Sequence, residues 1–446
     1  MRGKNRRKPK GVKIIPGSWI NGSSNDITST SGQQELAIPS PRREFGGSGL
    51  SLCVFAQEMQ PYSLELIFNF FTILKHALYP LEVCVDATST STVWFDYLRY
   101  DTTYTHSVLW STEAYFNLQR QQPTSEACLF HMSKTLTELQ ILIAASSDVA
   151  TRDTTISVVV NLIMSLALLG NIEQAEKHMI GLHHLITLRG GLRALQSNIQ
   201  LQMKASRADL MIALAINKTP TLLSATSISW VSYLAPPNTP ITTVLAQNPE
   251  LAAIYADLVA FARLANIALQ TGTKINPLLF QEILISSMYR LLLLPRTTAS
   301  TNQPNASACD QTPIVRALHT SLTATAANVF LQTGAIGMRF ATLSAHQRRD
   351  ICALDESAID EEKEMRIWML VIARITAVDD SDDEWIMSRL SALLRSVKKS
   401  EWKEIRTMLK SFIWMDLVHD GPGQECTKAA LAWTDDTDEK QTLAIR

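Results

Sequence analysis

From about Leu52 onward, apolar residues recur three and four positions apart through most of the chain, the spacing that lines one face of an α-helix. Residues 61–79 set the style. Leu64, Ile67, Phe68, Phe71, Ile73, Leu74 and Leu78 fall mostly on one wide stripe, which predicts a helix buried along that side. Residues 94–118, 125–145 and 152–169 continue it, the last being the most apolar of the chain. Residues 171–189 carry the clearest pattern, with Ile172, Ala175, Met179, Leu182 and Ile186 in phase and Glu173 four residues before Lys177. Gly190 and Gly191 follow the last periodic residue and predict the end of that helix, because glycine takes the left-handed backbone that satisfies a helix's final carbonyls. A further helix is expected over residues 192–216, then a loop through 219–249, where Pro236, Pro237 and Pro240 interrupt, with a short element around residues 230–234. Helical spacing resumes over residues 249–271, 277–294, 315–332, 357–377, 382–399 and 401–419, the last expected to close at Gly421 and Pro422. Residues 295–313, rich in Thr, Ser, Asn and Pro, read as a mobile interior loop. No run of useful length alternates at strand period. The expected fold class is therefore all-α, a multi-helix domain over residues 50–425.

Two ends fall outside that pattern. Residues 1–49 begin with Arg2, Lys4, Arg6, Arg7, Lys8, Lys10 and Lys13 without an acid among the first thirteen, and continue into a Gly, Ser, Asn and Pro stretch with little to bury. Disorder is expected there, as a basic tip and polar linker, and residues 426–446 read as a polar tail. Over the whole chain, 46% hydrophobic and 19% charged residues exclude a disordered protein. The 41 basic and 42 acidic residues balance, so the molecule as a whole has no bias toward nucleic acid or membrane. The basic tip leaves the remainder correspondingly acidic, and a polyanion would meet the tip first. Six cysteines, at 53, 84, 128, 309, 352 and 426, are too sparse for a disulfide scaffold and suit a reducing compartment. No apolar stretch follows the basic tip as a secretory signal would need, and residues 156–169, the longest apolar run, fall short of the ~20 residues of a spanning helix. No membrane partner is expected.

Candidate chemistry is thin. Asp379, Asp380 and Asp383 fit the D-D-x-x-D spacing by which helical prenyl-diphosphate enzymes hold Mg²⁺, since clustered hard oxygens suit that ion and its phosphates. The plainer reading makes Ser381 a helix cap and the acids that follow it a complement to the positive end of the helix dipole. His178, His183 and His184 share one helix at spacings that do not stack as i and i+4 would, which serves a two-histidine zinc site poorly. Gly46-Gly47-Ser48-Gly49 lacks the Gly-Lys-Ser/Thr ending of a phosphate loop. No catalytic residue is nominated. Arg6, Arg7, Lys8 and Lys10, around Pro9, match a nuclear-import signal, with no interleaved aromatics to read bases. Residues 170–175, Gly-Asn-Ile-Glu-Gln-Ala, match one turn of a tetratricopeptide repeat without a second copy.

Four stretches together resemble the fungal-specific transcription factor domain, the all-helical regulatory region that follows the zinc binuclear cluster in many fungal regulators. The strongest is Gly181-Leu182-His183-His184-Leu185-Ile186-Thr187-Leu188-Arg189-Gly190-Gly191-Leu192, which looks like the family's recurring helix-to-diglycine turn. Around it lie residues 61–84 and Arg207-Ala208-Asp209-Leu210, and near the end residues 410–420 look like the family's closing helix. The six closely spaced cysteines of the family's DNA-reading module have no counterpart, because no cysteine precedes Cys53. The resemblance implies a nuclear regulatory protein without cofactors that acts through protein partners, either a second copy in a homodimer or a zinc-cluster regulator, and does not itself bind specific DNA. Two alternatives stand beside it: a Mg²⁺-dependent all-α prenyl-diphosphate enzyme using Asp379, Asp380 and Asp383, and a cytoplasmic helical scaffold.

Overall fold

Helix follows stripe along nearly the whole chain. The computed structural model describes residues 50, 53–74, 84–85, 93–232, 242–246, 248–294, 312–331, 340–354, 360–376 and 383–433. Its longer elements are α1 (Pro61–Asn69), α2 (Thr102–Gln119), α3 (Glu126–Ala144), α4 (Asp153–Leu168), α5 (Ile172–Leu188), α6 (Ile199–Ile216) and α7 (Pro249–Thr271). They continue with α8 (Pro277–Leu293), α9 (Pro313–Leu331), α10 (Ala341–Cys352), α11 (Asp360–Thr376), α12 (Asp383–Ser396), α13 (Trp402–Leu409) and α14 (Asp416–Leu431). The fold is all-α; among the described residues the β structure is confined to one isolated bridge, Val85 to Ile275. The loop expected at 295–313 lies almost wholly outside the described residues, as do residues 1–49.

Departures from the expected boundaries have local causes. The helix expected over 61–79 leaves α geometry at Phe70–Leu74, a π turn. The one expected over 94–118 is split, because Asp101 turns extended and caps α2 by accepting the Tyr104 N–H at 2.7 Å. The one expected over 192–216 opens as a 3₁₀ turn, Leu192–Leu195, and restarts at α6, where Asn198 accepts the Leu201 N–H. Helix α10 has no stripe to announce it: its centre reads His346-Gln347-Arg348-Arg349-Asp350, and it buries Gln347 and Asp350 beside Leu343 and Ile351. The helix expected over 401–419 is in fact two. Residues 410–415 break it, and α14 runs through Gly421, Pro422 and Gly423 to Leu431, past the boundary expected at residue 425.

Side-chain pairs fix how the first helices run. Contacts between α2 and α3 join His106 to His131, Thr103 to Glu138 and Glu113 to Ser125, so residue numbers rise on one helix as they fall on the other. The pair is antiparallel. Between α2 and α4, Asn161 donates to Ser107 and Ser165 to Ser111, both 54 residues apart, which makes these helices parallel and in register. The chain thus builds a hairpin, α2–α3, and lays a second, α4–α5, beside it. The offset is far from the ~34 residues of a tetratricopeptide repeat, so the match at 170–175 does not extend to that architecture.

From there α6 packs on α4, α5 and α8, α8 on α7 and α9, and α9 on α10 and α11, with α12 and α14 closing over α11. These helices belong to one unit, Cys53–Arg446. Helices α4, α6 and α9 are buried on nearly all sides. In α9 this is possible because the sequence alternates Ala with Ser and Thr, whose hydroxyls bond back to their own helix, as Thr323 does to His319 and Thr325 to Ser321, both at 2.8 Å. Helix α7 is apolar and long enough to cross a bilayer by composition, but it buries Ile254, Tyr255, Leu258 and Phe261 within the unit.

Candidate functional site

Few of the residues the sequence nominates fall among the described ones. Arg6, Arg7, Lys8 and Lys10 lie outside the described residues, as do Asp379 and Asp380; Asp383 opens α12, but its side chain is outside them too. On α5, His183 and His184 are exposed and point away from any partner site, while His178 is half-buried and its pKa is lowered by that burial. Among the described residues, no group of three or more His, Cys, Asp or Glu side chains is placed to hold a metal ion.

The interior holds polar groups that sequence reading missed. Asp209 on α6 is buried, and its carboxylate accepts from the Thr221 N–H and hydroxyl, the Leu222 N–H and the Tyr289 hydroxyl, at 2.8 to 2.9 Å. It folds the chain back after α6 and ties that turn to α8. The Tyr289 hydroxyl is pushed well up by burial and then by the Asp209 charge, so it stays a donor. One residue along, the Arg290 guanidinium meets Asp257 of α7 at 2.6 Å with both side chains fully buried, and the Ser232 hydroxyl donates to the same carboxylate. Such a pair costs much desolvation and holds two helices in one register. Its signal was present: Asp257 and Arg290 each interrupt an apolar helical run.

A second cluster joins α2 to α3. The Nδ1 atoms of His106 and His131 lie 2.9 Å apart in buried surroundings, so one ring donates and the other, necessarily neutral, accepts. Burial lowers the pKa of each, that of His131 to about 4. Beside them Glu113 accepts from the Ser125 hydroxyl at 2.8 Å and from the Tyr62 hydroxyl of α1. The Cys128 thiol is pushed up to about 11 by burial and then by Glu113, which keeps it protonated and unreactive. These groups pair with one another across helices; nothing in the arrangement poses a nucleophile beside a base. With 25 residues between the histidines, no local spacing could announce the pair.

Three of the four resembling stretches do mechanical work. Gly190 and Gly191 have φ of 106° and 89°, and the Gly191 N–H closes on the Ile186 carbonyl at 2.8 Å, the hydrogen bond that ends a helix in a left-handed turn. Just before them Arg189 reaches Asp153 and the Thr151 carbonyl at the start of α4, and Asp153 also accepts from Asn198 at 2.7 Å. The turn therefore locks α4, α5 and α6 together. Arg207 lies buried over the Phe330 ring, and its neighbour Asp209 acts as above.

Residues 410–420 are not one closing helix: 410–415 form a joint, and 416–420 open α14. The Trp368 indole donates to the Ile413 carbonyl, Asn266 donates to the Trp414 carbonyl and accepts the Asp416 N–H, and His419 Nδ1 accepts the Met415 N–H. With those backbone groups taken by side chains from α7, α11 and α14, the helical ladder cannot continue through them. Arg406 then grips Asp420 with two hydrogen bonds, at 3.0 and 2.9 Å, and Asp420 also accepts the Trp414 indole N–H. Comparison with protein-family models, curated proteins and solved structures finds no match to this chain.

Proposed function

We propose that this chain is a nuclear regulatory protein of the fungal transcription-factor type, which acts through protein partners and leaves the reading of DNA to them. The observation that carries this reading is the work of three of the four resembling stretches: the diglycine turn, the Arg207–Asp209 segment and residues 410–420 each hold helices of one unit together. The buried charges and histidines are spent on the same task. Contact with other macromolecules is then left to the outer surface, and entry to the nucleus to Arg6, Arg7, Lys8 and Lys10. Fluorescence imaging of the tagged chain tests the compartment: nuclear accumulation is expected with residues 1–13 and its loss without them. A chain that stays cytoplasmic in both forms would favour the scaffold reading instead.

A further inference from the structure

Helix α10 is joined to the unit differently from its neighbours. Buried bonds cross other seams: His106 to His131 between α2 and α3, Asp209 to Tyr289 between α6 and α8, Asp257 to Arg290 between α7 and α8. On α10 the buried carboxylate of Asp350 is held at 2.9 Å by Arg349, its own neighbour, whereas Arg316 of α9 stands off at 4.0 Å. Asp350 would therefore keep its close partner if the helix moved away. Across the seam, α9 satisfies hydroxyls within itself, with Thr323 bonded to His319 and Thr325 to Ser321. Parting the two helices strands none of these groups.

The inner face of α10 gives a reason to part. Leu343 and Ile351 lie buried near its ends, but the fully buried side chain between them is Gln347. Among the described residues, neither the oxygen nor the nitrogen of its amide meets a hydrogen-bonding partner. A buried amide left unpaired gives up its hydration without return, and recovers it when the helix lifts. At the rim, Arg348 lies 5.7 Å from the centre of the Trp385 ring of α12, a contact made by an exposed side chain and of the weaker kind.

We infer that α10 is a strap that lifts from α9 as one piece while the rest of the unit stays folded, giving the protein a second conformation that a partner can select. Closing it buries Leu343 and Ile351 against the lost hydration of Gln347; opening it uncovers the side of α9 on which it packs. The strap goes beyond the regulatory reading and stands without it, since a chain that never entered the nucleus would still carry it.

Native-state hydrogen exchange of the full chain, read by mass spectrometry and corrected for intrinsic rates, tests this. Amides of α10 are expected to exchange on the order of 100-fold faster than those of the enclosed α4, at one common rate from Ser344 to Cys352. Gln347→Met, close in volume and without an amide to leave unpaired, should slow that exchange about tenfold or more with the circular dichroism unchanged. Exchange no faster than in α4, or fast exchange confined to the two ends around a protected centre, would overturn the proposal. So would a Gln347→Met chain whose α10 exchanges as fast as before or faster, because the amide would then be bonded in the closed state.

Discussion

Two pairs of buried side chains set the sharpest expectations for single residues. His131 has its pKa lowered to about 4 by burial, so between that value and the ordinary histidine range the unfolded chain binds a proton that the folded chain refuses. Its contribution is present above about pH 6.5 and is lost as pH falls toward 4. The loss should reach roughly 2 kcal/mol at pH 4 after allowance for solvent screening. Replacing His131 with Gln, which does not titrate, should flatten that part of a stability curve measured by urea denaturation at stepped pH; an unchanged slope would place the acid sensitivity elsewhere, at the fully buried His419. The Asp257–Arg290 pair makes a different expectation. Arg290→Met leaves a carboxylate in the core and should cost about 3 to 5 kcal/mol, whereas Asp257→Leu with Arg290→Met removes both charges and should cost far less. A loss in the double variant equal to the sum of the losses in Arg290→Met and Asp257→Leu alone would show that the pair is not coupled.

Two glycines of α14 separate packing from propensity at the scale of one helix. A Cβ on Gly423 would sit 2.5 Å from the Trp414 ring, while one on Gly421 meets nothing within 4 Å. Gly423→Ala should therefore destabilise by about 1 to 3 kcal/mol as the packed indole is displaced. Gly421→Ala meets no packed side chain, and the helix propensity it gains is offset by the crowding of its Cβ against the Pro422 ring, so it should change stability by less than about 1 kcal/mol. Thermal melts should therefore show the larger loss for Gly423→Ala if the joint is packed as described. This helix also shows where sequence reading fails. Gly421 and Pro422 look like a stop, yet the stop lies upstream, where Asn266, some 150 residues away, takes the Asp416 N–H. Stripes on α4, α5 and α7 were legible because each helix carries its own apolar period. Helix α10 was not, since its buried Gln347 and Asp350 are polar and their burial is decided by neighbours. The diglycine turn was legible as a turn, but its lock through Arg189 to Asp153 depends on a second helix and could not be read from spacing. Of the nominated site residues, those of the basic tip and Asp379 and Asp380 lie outside the described residues, and the histidines of α5 do not gather.

At the scale of the whole molecule, an all-α unit uses its buried polar groups to join helices: His106 to His131, Asp209 to Tyr289, Asp257 to Arg290, with the half-buried Arg406 and Asp420 doing the same. The proposed regulator works through what its surface recruits. Selection of binding sites from a random duplex pool, performed with the purified chain alone and again in the presence of fungal nuclear extract, separates this from direct reading of DNA. No enriched sequence is expected for the chain alone, and a defined motif should be recovered through it once extract is added. A motif enriched by the chain alone, or none in either arm, would contradict this reading.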